Sequence, residues 1–199
     1  MPSDERSLWE SITAAGVPPG RLYGVRSVVD LADLAHASSL GSRLEDLRGR
    51  SVILAIKSQL AGALAMIELD GVARRIVLCP PDLVPQHLRG VARAAGADAC
   101  VRDAEGPDLA ALALGTCVTT EGALRPGTVI RRRSGSTEWV LLTSGTAGAP
   151  KLVLHSLVSL TSALAGQPRP VSPALPRAAS PPVPPNLPAL FADGVPEPG

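Results

Sequence analysis

The chain has only three cysteines, no apolar run long enough to cross a bilayer, and no excess of charge of either sign. Each shortage removes a class of protein. Nineteen Lys and Arg against eighteen Asp and Glu leave a formal charge of +1, so neither a nucleic-acid nor a membrane-surface partner is indicated. The one basic cluster, Arg131-Arg132-Arg133 beside Ser134-Gly135-Ser136, reads as a solvated loop. A membrane span needs about 20 apolar residues, and no segment approaches that. Cys79, Cys100 and Cys117 are odd in number, lack C-x-x-C spacing and lie in or beside apolar segments. They are expected to be reduced, buried and small-hydrophobic, serving neither as disulfides nor as metal ligands. His36 and His87 fall on expected helices with no Cys, Asp or Glu at ligand spacing, so no metal site is expected there. The charged opening Met1-Pro2-Ser3-Asp4-Glu5-Arg6 is followed by no apolar core of a secretory leader. These features lead to the expectation of a soluble, cytoplasmic protein.

What is present is an alternation of apolar runs and helical periods. Residues 7 to 37 carry two short helical patterns, with Leu8, Trp9 and Ile12 on one face and Val28, Leu31, Leu34 and Ala35 on another. Residues 1–48 read as a peripheral helical lead-in. From Ser51 to Ile56 a continuous apolar run has the length and content of a strand buried on both faces. Ser58 can cap the following helix, whose Leu60, Ala63, Leu64 and Ile67 recur at helical spacing before the Asp70-Gly71 stop. Arg75 to Cys79 is a second strand. Asp82 is expected to cap a helix with Val84, Leu88, Val91 and Ala95 on one stripe, Pro85 in its first turn and Gly96 at its end. Ala99-Cys100-Val101 is a third strand, giving βαβαβ, half of a doubly wound α/β parallel sheet. The turn Ile56-Lys57-Ser58-Gln59-Leu60 has no G-x-G-x-x-G, so this unit reads as scaffold and not as a dinucleotide site.

The chemistry is concentrated in Thr143-Ser144-Gly145-Thr146-Ala147-Gly148-Ala149-Pro150-Lys151, directly after the apolar Trp139-Val140-Leu141-Leu142. Hydroxyls and backbone N–H groups on a glycine-rich turn cradle an anion, and Lys151 adds a point charge. A Walker A motif is excluded, because Pro150 precedes the lysine and Leu152 follows it. Leu152-Val153-Leu154-His155 reads as a second strand, so the loop is expected to tip a β-hairpin, with His155 close to it.

The order of these nine residues resembles the phosphate-binding signature of the adenylate-forming (AMP-binding) superfamily, which includes acyl- and aryl-CoA synthetases. Thr143, Ser144, Gly145, Thr146, Gly148, Pro150 and Lys151 stand at the motif's positions, and Val153, His155 and Ser156 resemble its continuation in some CoA ligases. Ala147 replaces a usual threonine and Leu152 a usual glycine. The resemblance implies that residues 49–165 form a partial AMP-binding domain. It implies an ATP-dependent ligase that activates a carboxylic acid as its acyl-adenylate and then passes the acyl group to a thiol such as that of CoA. ATP and Mg2+ are the implied cofactors. Thr143, Ser144, Gly145, Thr146, Ala147, Gly148 and Lys151 are the implied contacts to the β- and γ-phosphates.

Composition changes abruptly beyond residue 165, where eleven of the 20 prolines fall. Burying its seven large apolar residues would return about 10 to 20 kcal/mol. Ordering 34 residues costs about 34 to 68 kcal/mol at roughly 1 to 2 each. Residues 166–199 are therefore expected to form a disordered, polyproline-rich tail. The ligase reading leads to the expectation of an N-terminal piece of a longer enzyme, inactive alone, whose last 34 residues come from a shifted reading frame or a truncated gene. Its rivals are a non-catalytic nucleotide-binding module and a Pro-rich interaction module. A frameshift predicts ligase-like coding sequence in another frame of the DNA downstream of Ala165, and sequencing that shows none would remove the idea.

Overall fold

The structure, a computed structural model, describes residues 6–14, 16, 20–25, 27–127, 135–143 and 150–165. The expected Pro-rich tail and the Arg131-Arg132-Arg133 cluster lie outside them. Helix α1 (Leu8–Thr13) starts at Ser7, whose hydroxyl accepts from the Glu10 N–H while the Glu10 carboxylate accepts from the Ser7 N–H. Strands β1 (Arg21–Tyr23) and β2 (Val28–Asp30) form an antiparallel hairpin. A 3₁₀ turn at Leu31–Ala35, strand β3 (Ala37–Ser38) and a second 3₁₀ segment at Gly41–Leu47 lead into the sheet. Then follow β4 (Ser51–Ala55), α2 (Gln59–Leu69), β5 (Arg75–Leu78), α3 (Pro85–Ala95), β6 (Ala99–Asp103) and β7 (Thr116–Thr120). The short β8 (Arg125–Pro126) pairs back with β3, and β9 (Glu138–Thr143), β10 (Lys151–His155) and α4 (Leu157–Ala165) complete the described chain.

Six strands make one sheet in the order β10-β9-β5-β4-β6-β7, parallel throughout except for β10, which is antiparallel to β9. The continuous apolar run was the right signal for its centre: every residue of β4 is buried. Side-chain alternation splits that strand between two cores. Val52 and Leu54 join Ala65, Leu69, Ile76, Val101 and Trp139 on the α2 face. Ile53 and Ala55 join Val77, Leu88, Val91, Ala95 and Val140 on the α3 face. A third cluster, Val29, Leu34, Leu60, Leu64 and Ile67, lies against the back of α2 with Trp9 and Ile12 beside it. Helix α2 is therefore apolar nearly all round because both of its sides are covered.

The helix boundaries follow capping chemistry. Ser58 accepts from the Ala61 N–H and starts α2 as expected. The first residue of α3 is Pro85, so its cap is Val84 and not Asp82: a proline at the first helical position starts the helix on its own fixed φ. Gly96 ends it at φ 57°, in the left-handed region. The second helical pattern of the lead-in is a correction as well. Val28 lies in β2, and just Leu31–Ala35 turn, because Asp30 caps a 3₁₀ start by accepting from the Ala32 N–H. Leu34, Leu40, Leu44 and Leu47 are all buried, so residues 1–48 contribute more to the interior than a peripheral segment would.

The cysteine expectation is overturned. Cys100 and Cys117 are joined by a disulfide with Cα atoms 4.7 Å apart, 17 residues apart in sequence. The reason is register: β7 lies directly beside β6, and these two residues are Cα partners across the parallel pair. The argument for a reducing compartment loses its basis here. Cys79 remains free and buried, and desolvation pushes its thiol up to about 12. No helix among the described residues is long and apolar enough to cross a membrane.

The outer strand β10 leaves Leu154 58% and Val153 36% exposed, and α4 leaves Val158 55% exposed. An apolar edge strand is a template for self-pairing. Leu154→Lys is expected to reduce concentration-dependent association in light scattering while leaving the circular dichroism spectrum intact; unchanged association would show that this edge is not the contact.

Candidate nucleotide-phosphate site

The β9–β10 hairpin is built on a rigid base at the end away from its loop. Asp70, buried, accepts from the Trp139 indole Nε1–H at 3.1 Å and from the Leu8 N–H at 2.7 Å. Thr137 donates its hydroxyl to the Ala73 carbonyl at 2.7 Å and accepts from the Gly71 N–H at 2.8 Å. Arg75 donates from Nε to Glu138 at 2.7 Å and from Nη1 to the Ala95 carbonyl at 2.7 Å, tying β5, β9 and α3 together. These contacts hold β9 in register with β5, Ile76 opposite Trp139 and Leu78 opposite Leu141.

Because β9 runs parallel to β5 and β4, Thr143 leaves at the carboxyl edge of the sheet, where open α/β sheets bind ligands. Lys151 is the Cα partner of Thr143 at the start of β10, so it stands at the same edge. Both are exposed, and Lys151 makes no ion pair among the described residues. Ser144, Gly145, Thr146, Ala147 and Gly148 lie outside the described residues. His155 is not near the loop. It pairs with Trp139 at the opposite end of the hairpin, roughly 13 Å from Lys151 at about 3.3 Å per residue. There its Nδ1 lies 3.4 Å from the Ser159 hydroxyl.

The same edge carries a second feature with the opposite electrostatics. An open cleft of about 1000 Å3 is lined by Lys57, Ser58, Asp103, Glu105, Thr120 and Glu121, among others. Asp103 is 6% exposed, and its Oδ2 accepts from the N–H groups of Lys57 at 3.0 Å and Ser58 at 2.8 Å. Its Oδ1 is buried with no hydrogen-bond partner among the described residues. The loop above it requires glycine, because a Cβ on Gly106 would lie 2.7 Å from the Ala55 carbonyl oxygen and 2.8 Å from Asp103 Oδ1. An anion at the entrance to α2 would face the Asp103 carboxylate. Asp103 was not singled out in the sequence, where it simply follows a short strand; its partners lie 45 and 46 residues away.

No protein-family model matches the chain, and no curated protein matches it by sequence. Solved structures do match its fold. The o-succinylbenzoate CoA synthetase MenE of Bacillus subtilis, in complex with the acyl-adenylate intermediate OSB-AMP, superposes with a TM-score of 0.59 at 16% identity. The match covers 82% of this chain and 47% of that one. The amide bond synthetase McbA of Marinactinospora thermotolerans matches with a TM-score of 0.56 at 19% identity, over 79% of this chain and 36% of that one. The N-terminal subdomain of Klebsiella oxytoca NpsA, bound to 3-hydroxyanthranilyl-AMSN, gives 0.52 at 20% identity, over 75% and 39%. This chain has the N-terminal fold of the adenylate-forming enzymes. It spans less than half the length of each of these relatives.

Within this adenylate-forming fold, the described part of the hairpin brings a hydroxyl, and an ammonium with no ion pair among the described residues, to one sheet edge, the donor types a polyphosphate takes. Among the described residues no group of three His, Cys, Asp or Glu converges, so an Mg2+ ion would have to be held largely by the phosphates themselves. The Asp103 contacts give a direct test. Asp103→Ala removes the acceptor for two N–H groups and is expected to cost about 1 to 3 kcal/mol in urea unfolding. Asp103→Asn, which keeps one acceptor oxygen, should cost less; equal losses would mean that the carboxylate's hydrogen bonds are not what holds the turn.

Proposed function

We propose that this chain is the phosphate-holding part of an ATP-dependent ligase that activates a carboxylic acid. The observation that carries the reading is the placement of Thr143 and Lys151 as partners at the carboxyl edge of a parallel sheet of the adenylate-forming fold. Thr143, Ser144, Thr146 and Lys151 are the proposed side-chain contacts to the β- and γ-phosphates, with Gly145, Ala147 and Gly148 supplying backbone. ATP is the proposed nucleotide, Mg2+ would arrive with it, and CoA or another thiol is the proposed acceptor.

In the whole ligase the acid's carboxylate attacks the α-phosphorus and pyrophosphate leaves. The loop's contribution is to hold that leaving group and offset its charge, which is positioning and electrostatic stabilisation. Lys151 suits this task because its ammonium has no competing carboxylate among the described residues, whereas Lys57 lies 3.9 Å from Glu105. The complete activity is proposed for the whole enzyme. This chain, spanning less than half the length of its structural relatives, is proposed to be inactive alone.

One charge-assisted contact is worth about 1.5 to 3 kcal/mol, so Lys151→Ala should weaken ATP binding by about tenfold or more in calorimetric titration. Equal affinity in the two proteins would remove Lys151 from the site. Incubation with ATP and a panel of fatty and aryl acids should release no more pyrophosphate than the Lys151→Ala control; a clear excess would show that the chain completes the first step by itself.

A further inference from the structure

The disulfide has no part in phosphate binding, and its surroundings are asymmetric. Cys100 is wholly buried in the core on the α3 face, among residues that include Val77, Val91 and Cys79. Cys117 is exposed on the outermost strand, as is Thr119 on the same face. The strand does not depend on the bridge for its place. Five Cα partners from Ala99↔Thr116 to Asp103↔Thr120 hold it to β6. On the opposite face Val118 is buried, and the Thr120 hydroxyl donates to the Ser39 carbonyl at 3.1 Å. The two sulfurs can therefore part without unfolding the sheet, and rejoin without moving backbone, since their Cα atoms are 4.7 Å apart.

We propose that Cys100 and Cys117 form a thiol–disulfide exchange site for a low-molecular-weight disulfide, with Cys117 as the entry sulfur and Cys100 as the resolving sulfur. The exposed Cys117 thiolate attacks one sulfur of the small disulfide, whose S–S bond breaks; a mixed disulfide forms and the first small thiolate leaves. Cys100 then attacks the Cys117 sulfur and expels the second small thiolate, which takes the Cys100 proton as it leaves. The two protons given up by the cysteines end on the two small thiols, so two protein thiols are oxidised and one small disulfide is reduced. The reverse reaction also enters at Cys117, the sulfur that solvent reaches. Cys79 does not compete: it follows β5, on the far side of β4 from β6 and β7, and is not a register partner of any β7 residue.

Closing the bridge fastens β7, and β7 ends in the cleft wall. Thr120 and Glu121 line the same cavity as Lys57, Ser58 and Asp103. Oxidation at one face of the edge strand thus stiffens the rim of the carboxyl-edge cleft.

The test equilibrates the full chain in mixtures of glutathione and glutathione disulfide, followed by alkylation under denaturing quench and peptide mass mapping. The expected result is a passage from three alkylatable cysteines to one, Cys79, as the disulfide fraction rises. Cys100→Ala should stop at a glutathione adduct on Cys117, and Cys117→Ala should leave Cys100 unmodified. Amide hydrogen exchange of residues 116–120 should slow on oxidation of the wild-type chain, a reading that needs no variant to fold. A bridge that resists the whole range of mixtures, three thiols throughout, or no adduct on Cys117 in Cys100→Ala would overturn the proposal.

Discussion

Burial of β4 on both faces is the constraint on which the rest of the chain depends. Its neighbours β5 and β6 are both parallel to it, so each must be reached by a crossover. The chain steps from β4 to β5 on one side, then returns past β4 to β6 on the other. Right-handed crossovers in opposite directions put α2 and α3 on opposite faces, which is what a strand buried on both sides requires. The reversal of direction also creates a crevice between the carboxyl ends of β4 and β6. Asp103 and Ser58 sit there.

How much of this was legible depends on whether a residue's partner was near in sequence. The βαβαβ unit was readable because its signals are local: the unbroken apolar Ser51–Ala55, the Ser58 cap, the Gly96 stop. The hairpin was readable for the same reason, and its register put Lys151 opposite Thr143. What escaped was set by pairing across distance. Strand β7 reads Thr-Cys-Val-Thr-Thr, with polar residues facing solvent on an edge, and carries no apolar run. Without β7 there was no reason to place Cys117 beside Cys100. The same holds for Asp103, and for His155, whose position follows from counting along an antiparallel strand away from the turn and not toward it.

Two places on one sheet edge differ in the electrostatics they would offer an anion. The crevice at the switch point has the topology of a nucleotide site, yet Asp103, Glu105 and Glu121 line it together with Lys57, which lies 3.9 Å from Glu105. The hairpin has no helix behind its loop, yet offers an ammonium without a counter-charge among the described residues. A polyphosphate carries several negative charges, so the local sign of the potential outweighs the advantage of a helix N-terminus. That is why the fold, with no G-x-G-x-x-G turn, is consistent with a phosphate loop displaced two strands from the switch point.

The sheet's two edges are unequal, and the inequality explains where precision comes from. At β7 the edge is polar, and a covalent bridge reinforces it. At β10 it is apolar and open, with Leu152 packed toward the α3 core and Leu154 exposed. A lysine on so weakly covered a strand would wander if β10 alone held it. Its position is instead inherited from β9, whose Trp139 and Val140 are buried in the two cores, and whose near end is fixed by Asp70, Thr137 and Arg75. Five antiparallel partners transmit that order to β10. The residues that place Lys151 are thus a tryptophan, an arginine and an aspartate at the far end of the hairpin.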